Sequence, residues 1–166
     1  MQATGSKPES GAGCVNREEL WTLAEERVRN ADALLAASQW SAAYYLAGYA
    51  VECALKAYLP AYLDRTGKIF RERDYIKKLE KCWTHGLTLL VELADLTEQL
   101  ERARGANSNL KRCWSVVENW DETSRYDRKT EQDARDLYEA ITQEPDGVLR
   151  WLRQLSKAGA STKDST

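Results

Sequence analysis

The amino-acid sequence predicts an all-α, up-and-down bundle of four to five main helices, and three observations support this fold class. Only three prolines and nine glycines occur in 166 residues, so helix-breaking residues are sparse. Apolar residues recur at three- and four-residue steps along most of the chain, which is typical of helices with one buried face. The links between these segments are mostly short, which favours antiparallel neighbours.

The longest apolar run, at residues 40–59, predicts the central helix of the bundle. One stripe of this helix is apolar, and a second stripe with Tyr45, Tyr49, Glu52 and Lys56 lies roughly opposite. Because both stripes carry bulky residues, we expect the helix to be covered on two sides. The charges of Glu52 and Lys56 inside the run argue against a membrane span.

The other helices follow from capping residues and from apolar periodicity. Asn16 and Glu19 are spaced as a capping box, which predicts the start of a first helix that ends near Ser38. Gly105 predicts the end of a later helix, and Thr130 is placed as an N-cap. Further helices are expected over residues 84–104 and 108–120, behind Thr130, and over residues 148–155.

One domain is expected at residues 16–156, because a chain of this length can bury a core. Residues 1–15 and 157–166 are small and polar, and we expect them to form disordered tails. The four cysteines form no CxxC pair and no apolar signal segment precedes the first helix, so we expect reduced thiols in the cytoplasm. The formal charge of -2 predicts no strong field over the whole chain.

The sequence offers few groups for catalysis. His85 is its sole histidine, which excludes His-rich metal sites and makes a His-based triad hard to support. No phosphate-binding glycine loop or zinc-protease motif occurs, so neither a metal nor a cofactor is expected. At a predicted helix start, His85 is either a capping or packing imidazole or a catalytic acid–base group.

Glu52 and Lys56 form an i,i+4 pair on a helix that otherwise looks buried. If the helix surface here is solvated, the pair contributes a few tenths of a kcal/mol. If the carboxylate is covered, it needs a partner, and Arg125 and Arg128 of the polar segment 120–129 are the candidates. A buried Glu52–Arg125 pair would be either structural or functional.

The segment at residues 65–81 is the most basic part of the chain and includes Lys77 and Lys78. It is either a solvated loop with a surface helix or a patch that contacts phosphate groups. Trp83 and Trp120 lie at predicted helix ends beside basic residues, so they are the tryptophans that we consider for stacking on bases.

Three pieces of the sequence, met in order along the chain, carry a resemblance to a known family. The first is RVRNADALLAASQWSAAYYLAGYAVECALKAYL at residues 27–59, in which AVECALKAYL is most characteristic. The others are THGLTLL at residues 84–90 and SRYDRKTEQDARDLYEAI at residues 124–141. Over residues 17–155 the chain resembles HEPN domains (higher eukaryotes and prokaryotes nucleotide-binding).

The resemblance implies a compact helical bundle that forms a homodimer in a bacterial or archaeal cytoplasm. Many HEPN domains are metal-independent ribonucleases of toxin–antitoxin and anti-phage systems, others pair with a nucleotidyltransferase, and others are interaction or nucleic-acid-binding modules. Nuclease members carry an arginine and a histidine with four to six residues between them. The arginine falls on Arg125, whereas Thr130, Glu131 and Gln132 stand where the histidine is expected, so the motif is incomplete.

The leading hypothesis is therefore a non-catalytic or weakly catalytic HEPN-like protein that binds a partner protein, RNA or a nucleotide near Arg125. In it, Arg125 contacts the anion, Glu52 orients Arg125, and Tyr126 packs or stacks. A partner protein would be an antitoxin or a nucleotidyltransferase. The residues expected to contact the ligand are Glu52, Lys56, Lys77, Lys78, Arg125, Tyr126 and Arg128.

The sequence leaves two alternatives to this hypothesis open. In the first, the protein is an active endoribonuclease toxin in which Arg125 stabilises the scissile phosphate and His85 replaces the missing histidine. In the second, it is a helical scaffold subunit of a larger complex, with Tyr45 and Tyr49 at the interface.

Overall fold

The computed structural model describes residues 16–59 and 83–161, and within these ranges it contains helices and turns but no strand. The all-α prediction is thereby confirmed. A 3-10 helix at Glu122–Tyr126 precedes the sixth α-helix. The basic segment with Lys77 and Lys78, and the expected N-terminal tail, lie outside the described residues. The α-helices are α1 (Arg17–Ala36), α2 (Trp40–Lys56), α3 (Leu87–Leu93), α4 (Thr97–Ala106), α5 (Ser108–Val117), α6 (Glu131–Thr142) and α7 (Val148–Ser161).

Helix α2 lies at the centre of the bundle, as its two bulky stripes predict. It packs along α1 on one side and against α6 on another, and it also contacts α3, α7 and the 3-10 helix. Small buried residues such as Ala43, Ala47 and Ala54 let the neighbouring helices approach closely. The side chains around α2 therefore form the core of the described residues.

Capping residues define two of the helix starts where the sequence predicts them. The side chain of Asn16 accepts a hydrogen bond from the backbone N–H of Glu19, and the Glu19 carboxylate accepts one from Asn16 in return. Thr130 and Asp133 form the same reciprocal box at the start of α6. Each box satisfies backbone donors that the first helical turn leaves without partners.

The prediction of a single helix over residues 84–104 is wrong, because this part of the chain forms two helices, α3 and α4. Asp95 between the two helices has a φ of 59°, in the left-handed region that ends a right-handed helix. The backbone N–H of Leu96 donates to the carbonyl of Val91 in α3 at 3.0 Å, and α4 begins at the next residue. The apolar spacing continues through the break, since Leu90, Ala94 and Leu100 all face the core, and so periodicity did not reveal it.

The C-terminal helix is longer than expected and reaches into residues 157–166, which the sequence predicts as a disordered tail; residues 162–166 lie outside the described residues. Helix α7 continues to Ser161. The Arg17 guanidinium donates to the Ser156 hydroxyl at 2.5 Å, and the Tyr58 hydroxyl donates to the carbonyl of Leu152. These contacts join α7 to the start of α1 and to the end of α2.

Trp120 anchors the chain after α5 onto the middle of α2. Its side chain is 2% exposed and lies over Gly48, so close that a Cβ atom there would be 2.3 Å from the indole ring. The Tyr45 ring is 6.0 Å from the indole between centroids. The interpretation of Trp120 as a base-stacking residue is therefore wrong, and α5 ends at Val117 because the following residues turn this indole into the core.

We expect Gly48→Ala to lower the free energy of unfolding by about 1–3 kcal/mol, because its methyl group would overlap the Trp120 indole. The overlap lowers stability, whereas the higher helix propensity of alanine raises it by up to about 1 kcal/mol in a helix interior. Urea denaturation measures the change.

Gly105→Ala is the matched control, since a Cβ at that position of α4 would have no atom within 4 Å among the described residues, apart from the backbone of its own helix. It should leave stability unchanged or raise it by about 0.5–1 kcal/mol. Equal stability of the two variants would contradict the packing of Trp120 against α2.

Candidate functional site

Five ionisable side chains from α2, the turn before α3 and the 3-10 helix form one continuous series of contacts, here called the ion-pair chain. Lys56 Nζ and His85 Nδ1 lie 2.8 Å and 2.9 Å from the same oxygen, Oε1 of Glu52. On the other side of the ring, His85 Nε2 lies 2.8 Å from Oε2 of Glu122. The second oxygen of Glu122 accepts from Arg125 Nη2 at 3.2 Å.

Glu52 is the buried end of the ion-pair chain. It is 1% exposed, and its Oε2 has no hydrogen-bond partner among the described residues. A carboxylate taken out of water needs positive partners, and Lys56 and His85 supply them. The expectation of a covered carboxylate with a partner is confirmed. The expected direct contact with Arg125 is wrong, because His85 and Glu122 lie between the two residues.

His85 has both ring nitrogens within hydrogen-bond distance of a carboxylate oxygen. A neutral imidazole carries one N–H, so both contacts are hydrogen bonds at once only when the ring is protonated. Each ring nitrogen therefore faces a carboxylate oxygen in this arrangement. The interpretation of His85 as a helix cap is wrong, since Gly86 is the N-cap of α3 and its backbone N–H donates to the Thr84 hydroxyl.

Hydrogen bonds at its first turn order the 3-10 helix that carries Glu122 and Arg125. The Asp121 carboxylate accepts from the backbone N–H of Thr123 at 2.7 Å and also from its hydroxyl, and these bonds hold the pKa of Asp121 below its usual value. Arg125 lies over the exposed ring of Tyr126, 4.9 Å from its centroid. Tyr126 therefore backs the guanidinium from the solvent side.

A cavity of about 600 Å³ opens between the start of α2 and the residues that follow the 3-10 helix. We call it the basic cleft, because Arg125, Arg128 and Lys129 line it together with the aromatic rings of Trp40 and Tyr45. No described side chain caps the start of α2 in this wall. The first N–H groups of a helix lack partners within the helix, which adds positive potential to the cleft.

The three cations of the basic cleft differ in how far they are neutralised. Lys129 lies 3.1 Å from Asp127, whose hydrogen bond raises the pKa of the lysine, and 4.7 Å from the centre of the Tyr44 ring. Arg125 is paired with Glu122. Arg128 is exposed and has no ion-pair or hydrogen-bond partner among the described residues. It is therefore the cation most available to a ligand.

The backbone of Lys129 fixes this loop to α2, because its N–H donates to the Ser41 hydroxyl at 2.9 Å. No pattern in the sequence predicts that Lys129 or Glu122 belongs to the site. Glu122 lies three residues before Arg125 in an acidic stretch, so the spacing for a local pair was visible but its second contact with His85 was not.

Tyr45 and Tyr49 are half-buried by other residues of the chain. Their rings stack at 6.1 Å with an interplanar angle of 13°, and the Arg27 guanidinium lies 5.6 Å from the centre of the Tyr49 ring. Burial raises the pKa of Tyr49. Part of this surface is thus used by the chain itself, and its role as an interface stays a prediction, as does base stacking by the exposed Trp83.

No family model, curated protein or solved structure matches the chain significantly. Among the described helices, none has the length and apolar character needed to cross a bilayer. Residues 16–59 and 83–161 also contain no group of three His, Cys, Asp or Glu side chains arranged to hold a metal ion.

We expect Glu52→Ala to lower the free energy of unfolding by about 2–3 kcal/mol, because it leaves a cavity and removes the shared acceptor of Lys56 and His85. Glu92→Ala, at an exposed position of α3, should change stability by less than about 0.5 kcal/mol. Thermal and urea unfolding compare the two variants. Equal stability would refute the anchoring role of Glu52.

Cys53 should resist alkylation in the native protein. Burial, followed by the charge of Glu52, raises the pKa of its thiol to about 11. At about pH 8, roughly one Cys53 thiol in a thousand is then ionised, and the thiolate is the reactive form. The protein is treated with iodoacetamide, either folded or unfolded in urea, and the Cys53 peptide is analysed by mass spectrometry. Modification of Cys53 should be detected after unfolding. Rapid labelling of the folded protein at this pH would contradict the buried position.

Proposed function

We propose that this chain is a HEPN-like module that binds single-stranded RNA in the basic cleft without cleaving it. The observation that carries the proposal is the cleft itself, in which Arg125, Arg128 and Lys129 lie beside Trp40 and Tyr45 at the start of α2. Cations that follow a phosphate backbone, next to aromatic rings on which bases stack, are the usual means of binding single strands.

The charge distribution makes binding local to this cleft. Because the whole chain has a formal charge of -2, no general positive field draws RNA to it. Glu122 and Asp127 offset Arg125 and Lys129, so Arg128 provides the strongest contact with a phosphate group. Binding should therefore be weak at high salt and should depend on this arginine more than on its two neighbours.

The state of His85 supports binding without cleavage. Attack of a ribose 2′-hydroxyl on the adjacent phosphate needs a base that removes the proton and an acid that protonates the leaving oxygen. His85 is the sole histidine, and because its Nδ1 contacts the buried Glu52, the ring has one nitrogen left and could supply only one of these two groups. The homodimer, the cytoplasmic location and the toxin–antitoxin or anti-phage context that the resemblance implies belong to this proposal as well.

One observation favours a second candidate, a metal-independent endoribonuclease toxin. His85 and Arg125 contact the same carboxylate, so a phosphate that replaced Glu122 would touch both groups. Incubation of labelled RNA with purified protein and a chelator separates the candidates. Cleavage that Arg125→Ala abolishes would make the protein a ribonuclease, whereas intact RNA in both samples supports the binding module.

The binding proposal predicts that Arg128→Ala weakens the affinity for a single-stranded RNA of about a dozen nucleotides by roughly fivefold or more at low salt. Removing one cation that neutralises a phosphate should also reduce the slope of log affinity against log salt by roughly 0.7. Fluorescence anisotropy measures both quantities.

Arg102→Ala is the control for this measurement. It removes the same charge from the exposed face of α4, where Arg102 pairs only with Glu98 among the described residues. The control should bind RNA like the unaltered protein. Equal effects of the two substitutions, or no RNA binding by the unaltered protein, would refute RNA binding through the basic cleft.

A further inference from the structure

We infer that Glu122 occupies a phosphate subsite between His85 and Arg125 and competes there with the RNA that enters the basic cleft. The identity of this competitor rests on the proposed function. The subsite itself follows from the geometry of the ion-pair chain. It would accept any phosphate group that can reach His85 and Arg125.

The carboxylate of Glu122 makes the contacts that a phosphate would make. One of its oxygens is 2.8 Å from His85 Nε2 and the other is 3.2 Å from Arg125 Nη2. Two non-bridging oxygens of a phosphate can accept from the same two donors, since carboxylate and phosphate share this bidentate pattern. The chain thus fills the site with its own anion.

The Glu122 carboxylate is placed so that a ligand can displace it. The side chains of His85, Arg125 and Glu122 are 47%, 44% and 30% exposed, so water screens both ion pairs. Exposed ion pairs contribute little to stability, and a rotation of one side chain is enough to open the subsite.

His85 and Arg125 would stay in position after Glu122 moves away. His85 remains bound through Nδ1 to the buried Glu52, and the Tyr126 ring still lies against the Arg125 guanidinium. The subsite is therefore preorganised on both sides, while its present occupant is held only by exposed contacts. RNA affinity is lower than the cleft alone would provide, because binding must first break these contacts.

The variant Glu122→Gln tests this inference, because it removes the negative charge and keeps the size of the side chain. Glu118→Gln is the matched control, since Glu118 is exposed just after α5 and has no described side-chain partner. Inorganic phosphate is the first probe. Because the chain has one histidine, the NMR signals of its imidazole report on His85 without ambiguity.

We expect phosphate to perturb the His85 signals of Glu122→Gln at about fivefold lower concentration than in the unaltered protein. Glu118→Gln should respond like the unaltered protein. Single-stranded RNA should likewise bind Glu122→Gln about fivefold more tightly. Glu122→Ala should behave as Glu122→Gln does, which separates loss of the charge from any new contact made by the amide.

The two proposals fail in different ways. Equal phosphate and RNA titrations of Glu122→Gln and Glu118→Gln, with RNA binding still sensitive to Arg128→Ala, would overturn the role of Glu122 alone. Tighter phosphate binding by Glu122→Gln without RNA binding by any form would uphold the subsite and refute the proposed function.

Discussion

The burial of the Glu52 carboxylate is the constraint on which the arrangement of the candidate site depends. This residue lies in the middle of α2, the helix against which α1 and α6 pack. A nearly dehydrated carboxylate needs polar partners, and Lys56 from the next turn and His85 from the turn before α3 converge on one of its oxygens. The orientation of His85 follows from this bond, because holding Nδ1 inward presents Nε2 to Glu122. A core requirement thereby determines which groups meet at the surface.

A second packing contact positions the other half of the site. Trp120 fits over Gly48, which has no Cβ atom to exclude the indole, and this contact holds the 3-10 helix against α2. The Lys129 backbone is tied to Ser41 beyond it. Arg125 and Arg128 are therefore carried by a segment fixed at both ends, and the basic cleft lies between this segment and the start of α2.

Much of the fold could be predicted because its signals are local. The boxes at Asn16 and Thr130 involve residues three apart, and the pattern of α2 lies within one helix. The break at Asp95 was missed because apolar spacing continues through it. At the site, the burial of Glu52 predicts that its carboxylate needs a partner. That this partner is His85 and not Arg125 could not be predicted, since 33 residues separate Glu52 from His85 in the sequence. The second contact of Glu122 is tertiary as well and left no local pattern.

Photocrosslinking shows whether RNA occupies the basic cleft. A single-stranded RNA substituted with thiouridine is irradiated with the full chain, and the crosslinked peptides are identified by mass spectrometry. RNA bound in the basic cleft should form crosslinks in the segment from Trp40 to Tyr45 and in the loop around Arg128, and unmodified RNA should abolish both by competition. Crosslinks confined to other surfaces, such as the groove between α1 and α7, would contradict RNA binding in this cleft.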